Sequence, residues 1–253
     1  MKPSLSRLHR SKFAAVTAVA LLSGLGAGAY SVSYDVDTGF LGPLPLDPTP
    51  FPVALNLPQF NASLPELPPE HQGIAFIVGV ELRFVSYIRL EGLGLENTSP
   101  VPSDITFSQV LNSTFAYPTP VSNPTTSTEA LNPDIAFMES FPAFDGVIDY
   151  GGTSGATHTE EDSTFKLDSV LASAPGAYHG AGNFTFSYDA TLGNATITAD
   201  TGKTFDSLLP DGFARGFVEV TYFYDIPETS TVISGAGLLL LLGAAGWRAR
   251  RRA

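Results

Sequence analysis

The fold of this chain is decided by the stretch Gly216-Phe217-Val218-Glu219-Val220-Thr221-Tyr222-Phe223-Tyr224. Almost all of these residues are β-branched or aromatic, the types that pack well on a pleated surface and are enriched in strands. These residues therefore predict a strand.

Residues 74–84 have large apolar side chains at the even positions and glycine or charge at several odd positions. This period of two predicts a strand with its even positions buried. Residues 85–95 continue with mixed alternation as the second member of a strand pair, in which Gly92 and Gly94 indicate a bulge or a bend. Residues 97–100, Asn-Thr-Ser-Pro, predict a turn.

Residues 101–134 are rich in Ser, Thr, Pro and Asn, with Phe107 and Phe115 as isolated apolar anchors. We expect one or two short strands there and a long loop near residues 118–133. In the final third, residues 183–188 alternate aromatic and small polar side chains, and Leu192-Gly193-Asn194 forms a turn into a further strand at 195–199.

Apolar residues nowhere recur at helical spacing over a dozen positions between the two ends of the chain. The pattern therefore predicts an all-β domain at residues 73–225, an antiparallel β-sandwich with long loops rich in Pro, Gly, Ser and Thr. A proline-rich segment, residues 30–72, precedes it. Residues 51–57 can form an edge strand there, because a central strand does not tolerate this density of proline.

Two short motifs suggest metal or acid–base chemistry. Asp35-Val36-Asp37-Thr38-Gly39 resembles the opening of a calcium loop, but the remaining ligands are missing, and an acidic turn is the simpler interpretation. Residues 151–163 are polar and glycine-rich, and they place His158 beside Glu160, Glu161 and Asp162. A metal or acid–base site would need further ligands from elsewhere, so we predict a solvated loop.

Composition excludes several classes of protein. The chain of 253 residues has no cysteine, which excludes a thiol nucleophile and zinc–thiolate sites. Five of its 13 basic residues and all 25 acidic residues lie between residues 30 and 228, so this part carries a net charge of −20. Such a surface repels nucleic acid and favours solubility and divalent cations. We expect no nucleic-acid partner. We also expect no cofactor, with calcium as the one alternative left open.

The first 29 residues have the three parts of a secretory signal. A basic region, 2–12, precedes an apolar region, 13–22, and small residues end in Ala27-Gly28-Ala29. Signal peptidase accepts small residues at the positions of Ala27 and Ala29, so we predict cleavage after Ala29.

The last 28 residues, 226–253, also have three parts. Pro227-Glu228-Thr229 precedes an uncharged apolar segment, 232–247, which is about the minimum length for a membrane-spanning helix. Four arginines close the chain, Arg248, Arg250, Arg251 and Arg252, and such a cluster stops transfer and stays on the cytoplasmic side.

A Pro-Glu pair, an apolar helix rich in Leu, Gly and Ala, and a closing arginine cluster resemble the PEP-CTERM sorting signal of Gram-negative bacteria. The family usually has proline where this chain has Thr229. The resemblance implies processing by an exosortase, a membrane cysteine protease, and delivery to the cell surface or the exopolysaccharide matrix. The other interpretation is a single-pass anchor that is never cut.

The body is similar to the bacterial domain family called choice-of-anchor E. The similarity lies in Leu57-Pro58-Gln59-Phe60-Asn61, in residues 77–99 with their closing Glu96-Asn97-Thr98-Ser99, and in residues 218–224. That family often ends in a PEP-CTERM tail, and it implies no catalytic residues.

These observations lead to one main expectation, a non-enzymatic protein that is exported, held briefly in the inner membrane, and left at the cell surface or in the matrix. A module that binds carbohydrate, with or without calcium, is the alternative. It requires an exposed aromatic platform with polar neighbours. A secreted hydrolase would need a pair of converging carboxylates or a Ser/His arrangement, and no spacing in the sequence predicts one.

Overall fold

A single long strand, β3, organises one of two antiparallel sheets. The computed structural model describes residues 30–44, 52–117, 128–171 and 178–226. Within these ranges the regular elements are all strands: β1 (Tyr30–Asp37), β2 (Val53–Pro58), β3 (Phe76–Asn97), β4 (Ser103–Ala116), β5 (Thr128–Leu131), β6 (Asp134–Phe141), β7 (Gly155–Leu171), β8 (Asn183–Leu192), β9 (Thr196–Ala199), β10 (Phe205–Leu208) and β11 (Asp211–Asp225).

The first sheet, sheet A, has the order β1-β11-β3, with β7 on the other side of β3. The short strand β10 pairs with the last residues of β3, so it continues the position of β11 beyond the turn that joins the two. Every pair in the sheet is antiparallel.

The second sheet, sheet B, is built around β4. Strands β8 and β5 flank β4 at residues 113–116, and β9 and β6 flank it at residues 105–108. Strand β2 pairs only with β8, so it forms one edge of this sheet.

The core lies between the two sheets. Phe84 of β3 is fully buried, and its ring centroid lies 5.2 Å from that of Phe115 on β4 and 5.3 Å from that of Phe186 on β8. Phe107 and Tyr188 are also fully buried. The two sheets therefore pack face to face in a sandwich-like, all-β fold, as the alternation predicts.

Several local predictions are confirmed. Strand β11 contains the stretch 216–224, and the anchors Phe107 and Phe115 are buried on β4. The register of β3 against β7 shifts between Glu91 and Leu93, so the predicted bulge lies at Gly92, whose φ of 76° suits a residue without a side chain.

Other local predictions are wrong. Residues 76–97 form one strand and not a pair, and β4 is a long strand of 14 residues where short ones were expected. Ile74 and Phe76 were predicted to be buried, but they are 48% and 47% exposed. The register of β3 against β11 shifts beside Tyr224, so Val78 is an extra residue, and the inward face changes from Ile77 to the even positions that follow.

The predicted polar loop at residues 151–163 is wrong from Gly155 onward, because β7 begins there and pairs with β3. The acidic turn predicted at residues 35–39 is strand β1 up to Asp37, and only the end of it turns. In both places the long neighbouring strand supplies backbone hydrogen bonds that outweigh the local preference of polar residues for loops.

Strands β1 and β2 lie in the segment 30–72 and join one sheet each. Strand β2, Val53–Pro58, overlaps the stretch 51–57 in which an edge strand is predicted. In the described ranges no helix is long and apolar enough to cross a membrane. The predicted span at residues 232–247 lies outside those ranges.

Candidate functional site

The outer face of sheet A carries arginines packed against aromatic rings. We call Phe40, Tyr87, Arg89, Phe213 and Arg215 the arginine–aromatic face. Tyr87 is the cross-strand partner of Arg215, and Arg89 is the partner of Phe213, so all four side chains leave the sheet on the side away from the core. Phe40 follows β1 and lies beside them.

Each guanidinium on this face contacts two rings. The Cζ atom of Arg89 lies 4.3 Å from the ring centroid of Phe40 and 5.0 Å from that of Phe213. The Cζ atom of Arg215 lies 5.0 Å from the centroid of Tyr87 and 5.8 Å from that of Phe40. These distances are within the range of cation–π attraction. The rings and guanidinium planes thus form one continuous patch.

Carboxylates neutralise both arginines. The Arg215 guanidinium donates to both oxygens of Asp37, with Nε 2.9 Å from each. This contact lowers the pKa of Asp37 and raises that of Arg215. Arg89 Nη2 lies 2.8 Å from Glu91, and Nη1 lies 3.9 Å from Glu161. The patch therefore presents planar polar groups beside rings without a strong net charge.

The face extends toward β7. The Cζ atom of Arg83 lies 6.0 Å from the ring centroid of Phe165. Its Nη1 atom lies 3.6 Å from Glu219 Oε2, so the two side chains form an ion pair. Phe165 is 63% exposed and Leu167 is 41% exposed. Arg83, Arg89 and Arg215 are three of the five basic residues between positions 30 and 228. Most of the positive charge of this acidic part of the chain therefore lies on one surface.

The acids beside His158 are divided by the strand. Because successive side chains of β7 point to opposite faces, His158, Glu160 and Asp162 share one face while Glu161 points to the other, toward Arg89. His158 Nε2 lies 2.7 Å from Glu139 Oε2, and Nδ1 lies 3.7 Å from Glu160 Oε1. The two atoms are close, but their contact lacks hydrogen-bond geometry.

The same face of β7 continues with Lys166, which pairs with Glu129, and Asp168, which accepts a hydrogen bond from Tyr117 Oη at 2.8 Å. Burial and the nearby carboxylates raise the pKa of Tyr117. This row closes the side of the sandwich where β7 approaches β5 and β6. Inward-pointing charges on an edge strand also discourage pairing with another chain.

A loop at residues 142–154 is held by a buried carboxylate. Glu96 is fully buried, accepts from Ser154 Oγ at 2.5 Å, and accepts from the amide of Tyr150 at 3.0 Å. Asp145 accepts backbone hydrogen bonds from Val147 and Thr153, which lower its pKa. These acids are acceptors for the local backbone.

The two stretches whose composition suggests metal ligands are residues 35–39 and the surroundings of His158. Asp37 binds Arg215 and the amide of Gly39. Among residues 30–44, 52–117, 128–171 and 178–226, no group of three or more His, Asp or Glu side chains is placed to hold a metal ion.

The residues predicted from the terminal motifs lie outside the described ranges: Ala27, Ala29, Pro227, Glu228, Thr229, Arg248, Arg250, Arg251 and Arg252. Sequence reasoning missed the arginine–aromatic face. The sequence did contain one indication of this face. Arg83, Tyr87 and Arg89 occupy odd positions of β3, on the side of the strand opposite the buried even positions.

Comparisons with known proteins add little. No family model matches the chain, and a comparison with curated proteins finds no match. Among solved structures, a chain of infectious bursal disease virus Gt strain is 13% identical over 81% of this chain and 39% of its own, with a TM-score of 0.12. One from the Gx strain is 12% identical over 81% and 42%, with a TM-score of 0.13. This chain spans about two fifths of those viral chains. Scores this low carry no argument.

Proposed function

We propose that this protein is an exported, non-enzymatic component of the cell surface or extracellular matrix of a Gram-negative bacterium. The observation that carries the proposal is the order of the C-terminal elements, Pro227-Glu228, the apolar segment 232–247 and the arginines of 248–252. Signal peptidase removes residues 1–29, and an exosortase processes the C-terminal signal after the apolar helix has held the chain in the inner membrane.

The body supports a structural role in a matrix. A fold made of two antiparallel sheets without cysteine needs no oxidative step after export. Its polar clusters are bonded internally, as in the contacts of Glu96 with Ser154 and of Asp168 with Tyr117. A net charge of −20 between residues 30 and 228 keeps such a protein soluble among polysaccharides.

The test is the mass of the mature protein in each cell fraction of its native host, with and without the exosortase. We expect the residues after the Pro227-Glu228 region to be absent from the surface or matrix form only when the exosortase is present. An intact tail in the membrane fraction of both strains would refute the proposal and establish a single-pass anchored domain.

Carbohydrate binding is a second candidate function, and the arginine–aromatic face favours it. Sugars are bound by aromatic rings that stack on their apolar faces and by planar side chains that donate paired hydrogen bonds. Tyr87 and Phe165 supply rings at the surface, and Arg215 and Arg83 supply donors beside them. The partner of this chemistry in the proposed location is the exopolysaccharide of the host.

Affinity electrophoresis in gels that contain host exopolysaccharide tests this candidate. We expect Phe165→Ala and Tyr87→Ala together to reduce retardation at least tenfold. Met138→Ala is the matched control, because Met138 is 66% exposed on β6 of the other sheet. Repeating the gels with calcium and with EDTA tests whether a cation assists. Equal retardation of both variants, or none for the parent protein, would exclude this face as the binding surface.

A further inference from the structure

The two ends of the predicted mature chain meet at one corner of the fold. Strand β1 pairs with β11 so that Tyr30 lies opposite Tyr224. Tyr30 directly follows Ala29, the predicted site of signal cleavage, and Tyr224 lies three positions before Pro227 of the sorting motif. Paired residues of antiparallel strands are separated by about 4.5–5.5 Å between Cα atoms. Both proposed processing sites are therefore joined to the same pair of residues.

Three rings hold this corner, and we call Tyr30, His71 and Tyr224 the terminal clasp. The His71 ring centroid lies 4.3 Å from that of Tyr30, and His71 Nδ1 lies 3.1 Å from Tyr224 Oη. The rings of Tyr30 and Tyr224 are stacked at 5.5 Å. His71 is 6% exposed and Tyr224 is 2% exposed, so the contact between these two is shielded from water, whereas Tyr30 covers them from outside and is itself 41% exposed.

Residues 225 and 226, which directly precede the predicted sorting motif, are held by the fold. Asp225 pairs with Phe76 of β3, the amide of Ile226 donates to Asp225 Oδ1 at 2.8 Å, and Ile226 packs against the core. Only residues 227–231 then separate Ile226 from the predicted apolar segment. Five extended residues span at most about 18 Å.

A protease that binds its substrate as an extended peptide needs backbone groups on both sides of the bond that it cuts. The residues before Pro227 cannot occupy β11 and a protease cleft at the same time. A cleft that holds residues before Pro227 therefore requires the end of β11 to separate from β1 and β3 first, which is a local opening of the kind that strand ends undergo.

The geometry points to the terminal clasp as the element that sets the rate of C-terminal processing, because it holds the end of β11 in the sheet. This inference rests on the proposed function, since it assumes that an exosortase acts on the tail. It assigns to His71 and Tyr30 a role in the timing of release from the membrane.

The experiment follows conversion of precursor to product by pulse-chase labelling of the full chain in its native host with the exosortase present. One variant carries six Gly/Ser residues between Ile226 and Pro227, which moves the motif away from the sheet and leaves the body unchanged. A second variant is His71→Ala. The matched control is His179→Ala, because His179 is exposed.

We expect the insertion and His71→Ala to be processed about tenfold faster than the parent chain, and His179→Ala at the parental rate. Equal rates for the insertion variant and the parent would overturn the inference and leave the sorting proposal intact, and this result does not depend on the folding of His71→Ala. No product from any chain would overturn the sorting proposal, and the inference with it.

Discussion

Replacing Gly216 by alanine tests how closely the two sheets pack. Gly216 lies on the inner side of β11, and a Cβ atom at this position would be 2.6, 2.7 and 2.8 Å from three ring carbons of Tyr188 on β8. Carbon atoms attract best at about 3.5–4.0 Å. The ring or the strand must therefore move by about 1 Å to accept one methyl group.

The ring of Tyr188 has little freedom to move. It is fully buried, its centroid lies 4.8 Å from that of Phe115, and its hydroxyl oxygen lies 3.1 Å from Ser86 Oγ. Overpacking of a tight core costs about 1–3 kcal/mol. Because the ring is held on both sides, we expect Gly216→Ala to lower the free energy of unfolding by about 2–3 kcal/mol, a large share of the 5–15 kcal/mol of a typical domain.

Gly79→Ala on β3 is the matched control. A Cβ atom there would lie 3.7 and 3.8 Å from Phe223, which is ordinary contact. We expect no loss, and a gain of up to about 1 kcal/mol because alanine restricts the unfolded chain.

Urea unfolding followed by circular dichroism measures both variants. The double variant Gly216→Ala with Tyr188→Leu completes a mutant cycle, in which we expect a coupling energy of at least about 1 kcal/mol because the opposing ring is gone. Equal effects of the two alanines, or a coupling energy of zero, would refute close packing of Gly216 against Tyr188.

Three further predictions concern charge and burial. Burial raises the pKa of Tyr188 to about 12 and also raises that of Tyr222, so this contribution to stability is complete below pH 10 and is lost as the pH rises above it. At about 1.4 kcal/mol per pH unit for each tyrosine, the two together lower the free energy of unfolding by about 3 kcal/mol at pH 11, and constant urea midpoints from pH 9 to 11 would contradict this. Asp37→Asn removes the ion pair with Arg215, and we expect a loss of about 0.5–1 kcal/mol at pH 7. Because the pKa of Asp37 is lowered in the fold, this loss disappears as the pH falls through that lowered pKa, and urea unfolding at pH 7 and across the acid range measures it. Glu96→Ala leaves buried donors of the 142–154 loop unpaired, so we expect the free energy of unfolding to fall by about 2–3 kcal/mol. Amide hydrogen exchange in that loop should also become faster, and unchanged exchange would show that other contacts hold the loop.

The candidate site was less predictable from the sequence than the fold was. His158 and its three acidic neighbours suggest a site because they are adjacent in sequence. Because side chains alternate along a strand, Glu161 lies on the opposite side of the sheet from His158. The arginine–aromatic face as a whole is not predictable from the sequence, because Phe40, Arg89 and Phe213 lie far apart along the chain. Only the register of β3 against β11 brings Arg89 and Phe213 together.

The all-β class was predictable because periodicity is a local property. Alternation in residues 184–188 and the β-branched and aromatic stretch 216–224 are visible without any partner strand, and both lie in strands with buried alternate positions. The predictions of a signal peptide and of a sorting signal also rest on short local segments, and they stay predictions.

What the tertiary structure alone decided is where polar stretches go and which distant residues meet. Residues 155–163 are a strand because β3 is long enough to supply hydrogen-bonding groups along all of them, and that length depends on how β11 and β7 pair with it. The inward face of β3 changes at Val78 and again at Gly92 because each bulge adds one residue to a period of two. Pairing between strands far apart in the chain depends on the whole sheet, so the face of Arg89 and the clasp of Tyr30 with Tyr224 exist only in the folded body.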